Sequence, residues 1–136
     1  MRIVIDTNVF ISSFFGGNPK KIVDLWKEGK VIICLSGQII DEHIAVLKRL
    51  GLEGEPELKE LVDFLAEGFN LIFAAKTPSL NIVPDDPDDN KLIECAVALD
   101  AEVIVSGDKN LLRIKNYLSI KIMSPAEFLA FFKKRP

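Results

Sequence analysis

Four acidic residues occupy positions from which their carboxylates could share one site. Asp6 directly follows a run of three β-branched residues, which is typical of a strand buried on both faces. In an open parallel sheet, ligands bind outside the carboxyl ends of the strands, where Asp6 would lie. Asp108 comes just after a later apolar run. Glu42 is on the helix predicted after another strand, and Asp89 is at the start of an Ala-rich apolar helix.

The sequence also allows a purely local role for Asp6. Asp and Asn often cap helices or shape turns, so Asp6 and Asn8 could serve only to start the next helix. The recurrence of acids near later strand ends favours a shared site. If the strand connections are right-handed crossovers, these strand ends and helix starts meet at one edge of the sheet.

The residue types indicate what such a site could do. Carboxylates gathered at one edge repel one another, which is costly unless a cation neutralises them. Four oxygen ligands without histidine or thiolate suit Mg²⁺ or Mn²⁺ rather than zinc. A metal held in this way orients a water, lowers the pKa of that water and stabilises charge on a phosphate. The pattern therefore favours metal-assisted hydrolysis of phosphodiester bonds.

An acid-rich run precedes the Ala-rich helix and has more than one interpretation. Acids around prolines before a helix usually form a solvated loop with one capping acid. Asp88 could be the N-cap and Asp89 the ligand, and the sequence does not separate these roles. Asp85 or Asp86 could also assist at the site.

Strand and helix patterns alternate along the chain. The apolar runs that predict strands are residues 3–5, 31–35, 71–75, 103–105 and 120–123, with a candidate edge piece at 81–83. Helices are predicted after the caps Asn18, Ser36 and Ser124, from Pro56, across 91–99, and as short turns at 9–15 and 110–114. This alternation predicts an α/β protein, a three-layer α/β/α sandwich around a mostly parallel sheet of four to five strands. We expect a single domain over residues 1–136.

Composition limits the class of protein. The net charge of −3 and the pI near 5.2 give no global basic surface for coating nucleic acid, although an acidic site that binds metal remains compatible with them. Cys34 and Cys95 have no CxxC spacing and are interpreted as buried thiols in a reducing compartment. We see no signal peptide, and no apolar run reaches the ~18 residues of a membrane helix. A cytoplasmic protein is expected.

Four motifs, taken in order, resemble a known family. They are Ile-Val-Ile-Asp-Thr-Asn at 3–8, Leu-Ser-Gly-Gln-Ile-Ile-Asp-Glu at 35–42, Asp-Pro-Asp-Asp-Asn-Lys-Leu-Ile-Glu-Cys-Ala at 86–96 and Val-Ile-Val-Ser-Gly-Asp-Lys-Asn-Leu-Leu at 103–112. Each motif is weak alone, but the ordered set spans nearly the whole chain. It resembles PIN-domain proteins, close to the VapC-like toxins of bacterial and archaeal toxin–antitoxin modules.

The resemblance implies roles for six residues. The acidic quartet of the family, which is both catalytic and metal-binding, matches Asp6, Glu42, Asp89 and Asp108. Asn8 matches the polar residue that assists near the first acid, and Ser106 stands where the family often has Thr. The family implies a Mg²⁺- or Mn²⁺-dependent endoribonuclease that acts on RNA. It also implies a homodimer and inhibition by a cognate antitoxin protein.

On the helix predicted after Ser36, the choice between Asp41 and Glu42 as the site residue depends on which face of the helix is buried. Asp41 and Glu42 are adjacent and cannot share a helix face, and the motif favours Glu42. The predicted buried side consists of Ile40, Ile44, Leu47 and Leu50. His43 lies at the edge of that stripe and is interpreted as a packing residue rather than a general base.

Basic residues form several groups that could meet phosphate, of which at most one cluster is expected to do so. They are Lys20, Lys21, Lys48, Arg49, Lys109, Arg113 and Lys115.

Two other classes of function are alternatives to a metal-dependent ribonuclease. A catalytically silent PIN-fold module that regulates or binds would keep the fold and partner contacts without turnover, and the complete quartet speaks against it. A receiver-like phosphotransfer domain also clusters acids at strand ends. That class requires a lysine after a late strand, where this chain has Ser106-Gly107-Asp108.

Overall fold

The computed structural model describes residues 1–83 and 87–135, except for the side chains at positions 57, 61, 64, 65, 87 and 88. The strands are β1 (Arg2–Ile5), β2 (Ile32–Ser36), β3 (Leu71–Ala74), β4 (Val103–Val105), β5 (Asn116–Tyr117) and β6 (Ile120–Met123). The helices are α1 (Thr7–Ser12), α2 (Gly17–Lys27), α3 (Gly37–Arg49), α4 (Pro56–Glu67), α5 (Pro87–Ala98), α6 (Lys109–Leu112) and α7 (Pro125–Lys133). A single 3₁₀ turn, Ser13–Phe15, follows α1.

The strands form one six-stranded sheet in the order β3-β2-β1-β4-β6-β5. All neighbouring pairs are parallel except β5 with β6, which are antiparallel. The predicted α/β fold with a central, mostly parallel sheet is confirmed. The sixth strand, β5, was not predicted because its two residues are too short to show a periodic pattern.

Helices cover both faces of the sheet at its centre. Successive residues of a strand point to opposite faces, and Ile3, Val4 and Ile5 of β1 are all buried. The same holds for the three residues of β4. Runs of β-branched residues therefore form the central strands, because their side chains pack well in a sheet that is covered on both faces.

Helix α3 is rotated relative to its predicted phase. Its buried residues are Ile39, His43, Val46 and Leu47. Ile44 and Leu50, which were predicted to be buried, are 45% and 53% exposed. The prediction was wrong for these two because several apolar stripes fit this sequence, and only packing against its neighbours selects one. Ser36 caps the helix as predicted, and its Oγ accepts from the backbone N–H of Ile39 at 3.3 Å.

Two local predictions were wrong. Helix α2 begins at Gly17, so its N-cap position is Gly16 and not Asn18, and Gly16 adopts a φ of 97° that glycine tolerates without strain. Residues 81–83 are not an edge strand, because side chains of α5 satisfy the backbone there. Asn90 Oδ1 accepts from the N–H groups of Ile82 and Val83 at 2.9 and 2.8 Å.

Both cysteines are free and buried, Cys34 on β2 and Cys95 on α5, as predicted. Burial raises the pKa of the Cys34 thiol to about 11 and that of Cys95 to about 12, so both are protonated at neutral pH. None of the helices in the described ranges combines the length and apolar character needed to cross a bilayer.

Candidate active site

Asp6 lies at the carboxyl end of the central strand β1 and is also the N-cap of α1. Its Oδ1 accepts from the backbone N–H of Asn8 at 3.3 Å. Ser106 follows β4, the neighbour of β1, and its hydroxyl donates to Asp6 Oδ2 at 2.7 Å. The capping role and the placement at the sheet edge are therefore both observed. One carboxylate serves both because β1 ends where α1 begins.

Asp6 lies within electrostatic range of two other acidic side chains, Glu42 and Asp108. Burial is the largest influence and raises the pKa of Asp6, while the hydrogen bonds from Ser106 and Asn8 lower it. The negative charges of Glu42 and Asp108 raise the pKa further. Only 9% of Asp6 is exposed, so these charges act through a weakly screening interior.

Asp108 lies beside Asp6 at the same edge of the sheet. Asp6, Asn8 and Asp108 line an open cleft of about 310 Å³. Asp108 is the N-cap of α6, and its Oδ1 accepts from the backbone N–H of Asn110 at 2.8 Å. Its own N–H donates to Ser106 Oγ at 3.0 Å. Ser106 therefore connects the side chain of Asp6 to the backbone of Asp108.

Glu42 lies on α3 and Asp89 lies on α5. Glu42 is partly exposed, and its Oε2 lies 2.6 Å from Nζ of Lys91. Asp89 is buried in the first turn of α5. Asp41, the neighbour of Glu42, is exposed.

Lys91 was missed in the sequence, although a signal was present. It is a cationic residue two positions after the predicted metal ligand Asp89, at the start of the helix predicted at 91–99.

The donor chemistry suits a hard divalent cation, since the carboxylates of Asp6, Glu42 and Asp108 offer oxygen ligands and carry like charges that a cation would neutralise. Within the described ranges, no three Asp, Glu, His or Cys side chains form a group that could hold a metal ion. The structure brings Asp6, Ser106 and Asp108 into contact, while Glu42 is engaged by Lys91. Asp85 and Asp86, and the side chain of Asp88, lie outside what the structure describes.

His43 is a buried packing residue, as predicted. Its ring stacks on Phe10 with a centroid distance of 4.6 Å, and its Nδ1 lies 2.7 Å from Thr7 Oγ1. Burial, helped by the positive charge of Lys91, lowers the pKa of His43 to about 4. The ring is therefore neutral at physiological pH.

The predicted basic groups are exposed surface residues, and one of them, Lys20, pairs with Asp24 at 2.9 Å. Whether any of them meets phosphate stays a prediction.

The sequence matches the PIN domain family over residues 2–110. Because this match covers most of the chain, including β1, α3, α5 and β4, the protein belongs to the PIN domain family. PIN domains are typically nucleases and generally use divalent metals, so membership indicates a hydrolase of nucleic acids.

The chain is also similar to a protein of an archaeon, the uncharacterized protein MJ1680 of Methanocaldococcus jannaschii. The two sequences are 32% identical over 152 aligned positions, which cover 98% of this chain and 93% of the relative.

Proposed function

We propose that this protein is a Mg²⁺- or Mn²⁺-dependent endoribonuclease and the toxin of a type II toxin–antitoxin module. One observation carries the proposal. Asp6 is a buried carboxylate at the carboxyl end of the central strand, and it interacts electrostatically with the acids Glu42 and Asp108. Such a group of like charges destabilises the folded protein without a cation and is expected where one binds.

Each residue of the site has a role in this proposal. The carboxylates of Asp6, Glu42, Asp89 and Asp108 would hold the ion. When bound, the ion would supply an activated water and neutralise charge on the scissile phosphate. Ser106 favours the ionised form of Asp6 by donating to its Oδ2, and it accepts a hydrogen bond from the backbone N–H of Asp108. Asn8, which lines the cleft beside Asp6, would contact the substrate or water.

The proposal extends to assembly and location. The ordered motifs resemble VapC-like toxins, which supports a single domain over residues 1–136, a homodimer, a cognate antitoxin and a cytoplasmic location. Because the net charge is −3, the RNA backbone would be held mainly at the metal and by a small number of lysines or arginines.

The test is cleavage of a mixed RNA pool by purified protein with Mg²⁺, Mn²⁺ or EDTA. Cleavage should require the metal and fall at least about 100-fold in Asp6→Asn and Glu42→Gln, because each removes a proposed ligand. Asp41→Asn is the matched control. It removes an exposed acid one position away and should keep the wild-type rate. Cleavage that persists in Asp6→Asn would contradict the site assignment.

A catalytically silent binding module is the second candidate. It is favoured by the ion pair that engages Glu42 and by the separation of the described acids into smaller groups. Under this alternative, well-folded protein freed of any antitoxin would cut no RNA with either metal.

A further inference from the structure

Lys91 and Glu42 form a short ion pair that joins α5 to α3. Nζ of Lys91 lies 2.6 Å from Glu42 Oε2, and the two side chains are 15% and 33% exposed. Another pair between separate helices, Lys27 with Glu60, is longer at 2.9 Å and more exposed. Since water screens the Lys91–Glu42 pair less, its electrostatic attraction is stronger than that of an ordinary surface pair.

The charge of Lys91 reaches the interior of the site. It acts on His43, which packs beside Thr7 at the start of α1, and lowers the pKa of the imidazole. Glu42, the acid that Lys91 engages, acts on Asp6. The ammonium group therefore lies beside Glu42, one of the acids that are proposed to bind metal, and balances the negative charge of that carboxylate.

We propose that Lys91 is an internal counter-cation that competes with the divalent metal for Glu42. In the metal-free protein the ammonium group holds Glu42 and reduces repulsion among the acids. When the metal binds, Glu42 exchanges the ammonium group for the ion. Lys91 thereby sets the metal affinity of the site below what its carboxylates alone would give. This inference rests on the proposed function, because it requires that the acids bind a metal.

A purely structural ion pair would behave differently. If Lys91 only fastened α5 to α3, its removal would lower stability and leave the metal affinity unchanged or weaker. If it competes with the metal, its removal frees a ligand and removes a repelling charge, so metal binding tightens while the metal-free protein loses stability. Both alternatives predict a loss of stability in the metal-free protein. Only a competing cation predicts that metal binding becomes tighter, so the change in metal affinity distinguishes the two.

Mn²⁺ binding to Lys91→Met, measured by titration calorimetry, tests this directly. Methionine keeps much of the length of the side chain without its charge. We expect Mn²⁺ to bind at least about threefold more tightly than in wild type, because a nearby positive charge is removed. The melting temperature in EDTA should fall, and the rise on adding Mn²⁺ should exceed that of wild type. Lys27→Met, which breaks the remote pair with Glu60, is the matched control and should leave Mn²⁺ affinity unchanged.

The outcomes separate this inference from the proposed function. Unchanged or weaker Mn²⁺ binding in folded Lys91→Met overturns the inference. The proposed site survives that result if Asp6→Asn abolishes the Mn²⁺ binding of the wild type. A wild type that binds no Mn²⁺ overturns both.

A second measurement uses the unaltered protein and so does not depend on the folding of a variant. The ammonium ¹⁵N signal of Lys91 should show faster proton exchange when Mg²⁺ is added, because the group leaves Glu42. An unchanged signal at saturating Mg²⁺ would overturn the inference.

Discussion

Oγ1 of Thr7 lies 2.7 Å from Nδ1 of His43, and both residues are buried. Thr7 directly follows Asp6, and His43 directly follows Glu42. This hydrogen bond therefore links the two backbone segments that carry the first two acids of the proposed site. Phe10, one turn further along α1, stacks on the same imidazole. Together these contacts fix the start of α1 against α3.

Thr7→Val should destabilise the protein by about 1 to 3 kcal/mol, because it leaves a buried ring nitrogen without its hydrogen bond while keeping the shape of the side chain. Urea unfolding followed by circular dichroism measures this loss. Thr77→Val is the control, since the Thr77 hydroxyl donates to Gln38 over a longer distance of 3.4 Å at an exposed position. It should change stability by less than about 0.5 kcal/mol. Equal effects of the two variants would contradict the prediction.

Stability should fall as the pH is lowered from about 6.5 to about 4, through the titration of His43. The pKa of His43 is lowered from 6.5 to about 4 in the folded protein, so in this window the unfolded chain binds the extra proton. The contribution of neutral His43 to the free energy of unfolding is fully present above pH 6.5. It amounts to about 3 kcal/mol at most and is lost as the pH falls to about 4.

The measurement is the free energy of unfolding against pH for wild type and for His43→Gln. His43 is the single histidine of the sequence, so the difference between the two curves isolates its titration. The raised pKa of Asp6 has the opposite effect, because it makes the folded protein more stable as the pH falls, and it is common to both proteins. Parallel curves would contradict the prediction.

Asp6→Asn should raise the melting temperature of the metal-free protein by roughly 1 to 4 °C. The raised pKa of Asp6 means that its stability contribution is lost as the pH rises above the ordinary value of 3.8, so at pH 7 the ionised group is unfavourable. Asparagine removes that charge and caps helices as well as aspartate does. Thermal unfolding in EDTA at pH 7 measures the effect. A lower melting temperature would show that the carboxylate stabilises the fold without metal.

Ser106→Ala should move the acidic limb of the cleavage pH profile to higher pH. The Ser106 hydroxyl stabilises the ionised form of Asp6, so its removal raises the pKa of that carboxyl further. Ser106→Thr retains the hydroxyl and is expected to restore the wild-type profile. If alanine lowers the rate equally at every pH, the serine acts only through packing.

The sequence was sufficient to predict the central strands and the sheet edge where Asp6 and Asp108 lie. Strands β4 and β6 have the predicted bounds, because a short apolar run between turn signals has few other solutions in an alternating α/β chain. Asp6 and Asp108 then followed from topology alone, since parallel strands end at the same edge.

Tertiary contacts decided the features that the sequence could not. The face of α3 that is buried depends on which apolar stripe packs best against its neighbours. The path of residues 81–83 depends on the hydrogen bonds that Asn90 accepts from their backbone. The pairing of Lys91 with Glu42 joins positions 49 apart on two helices, so the position of Lys91 two residues after Asp89 could not identify Glu42 as its partner.

The strand order has a consequence for synthesis on the ribosome. Strand β1 is made first, but one of its two neighbours, β4, begins only at Val103. The contact of Asp6 with Ser106 therefore cannot form until most of the chain has emerged. A nascent chain that stops before β4 has neither the completed sheet nor the serine that orients Asp6, so translation must pass this point before the proposed active site exists.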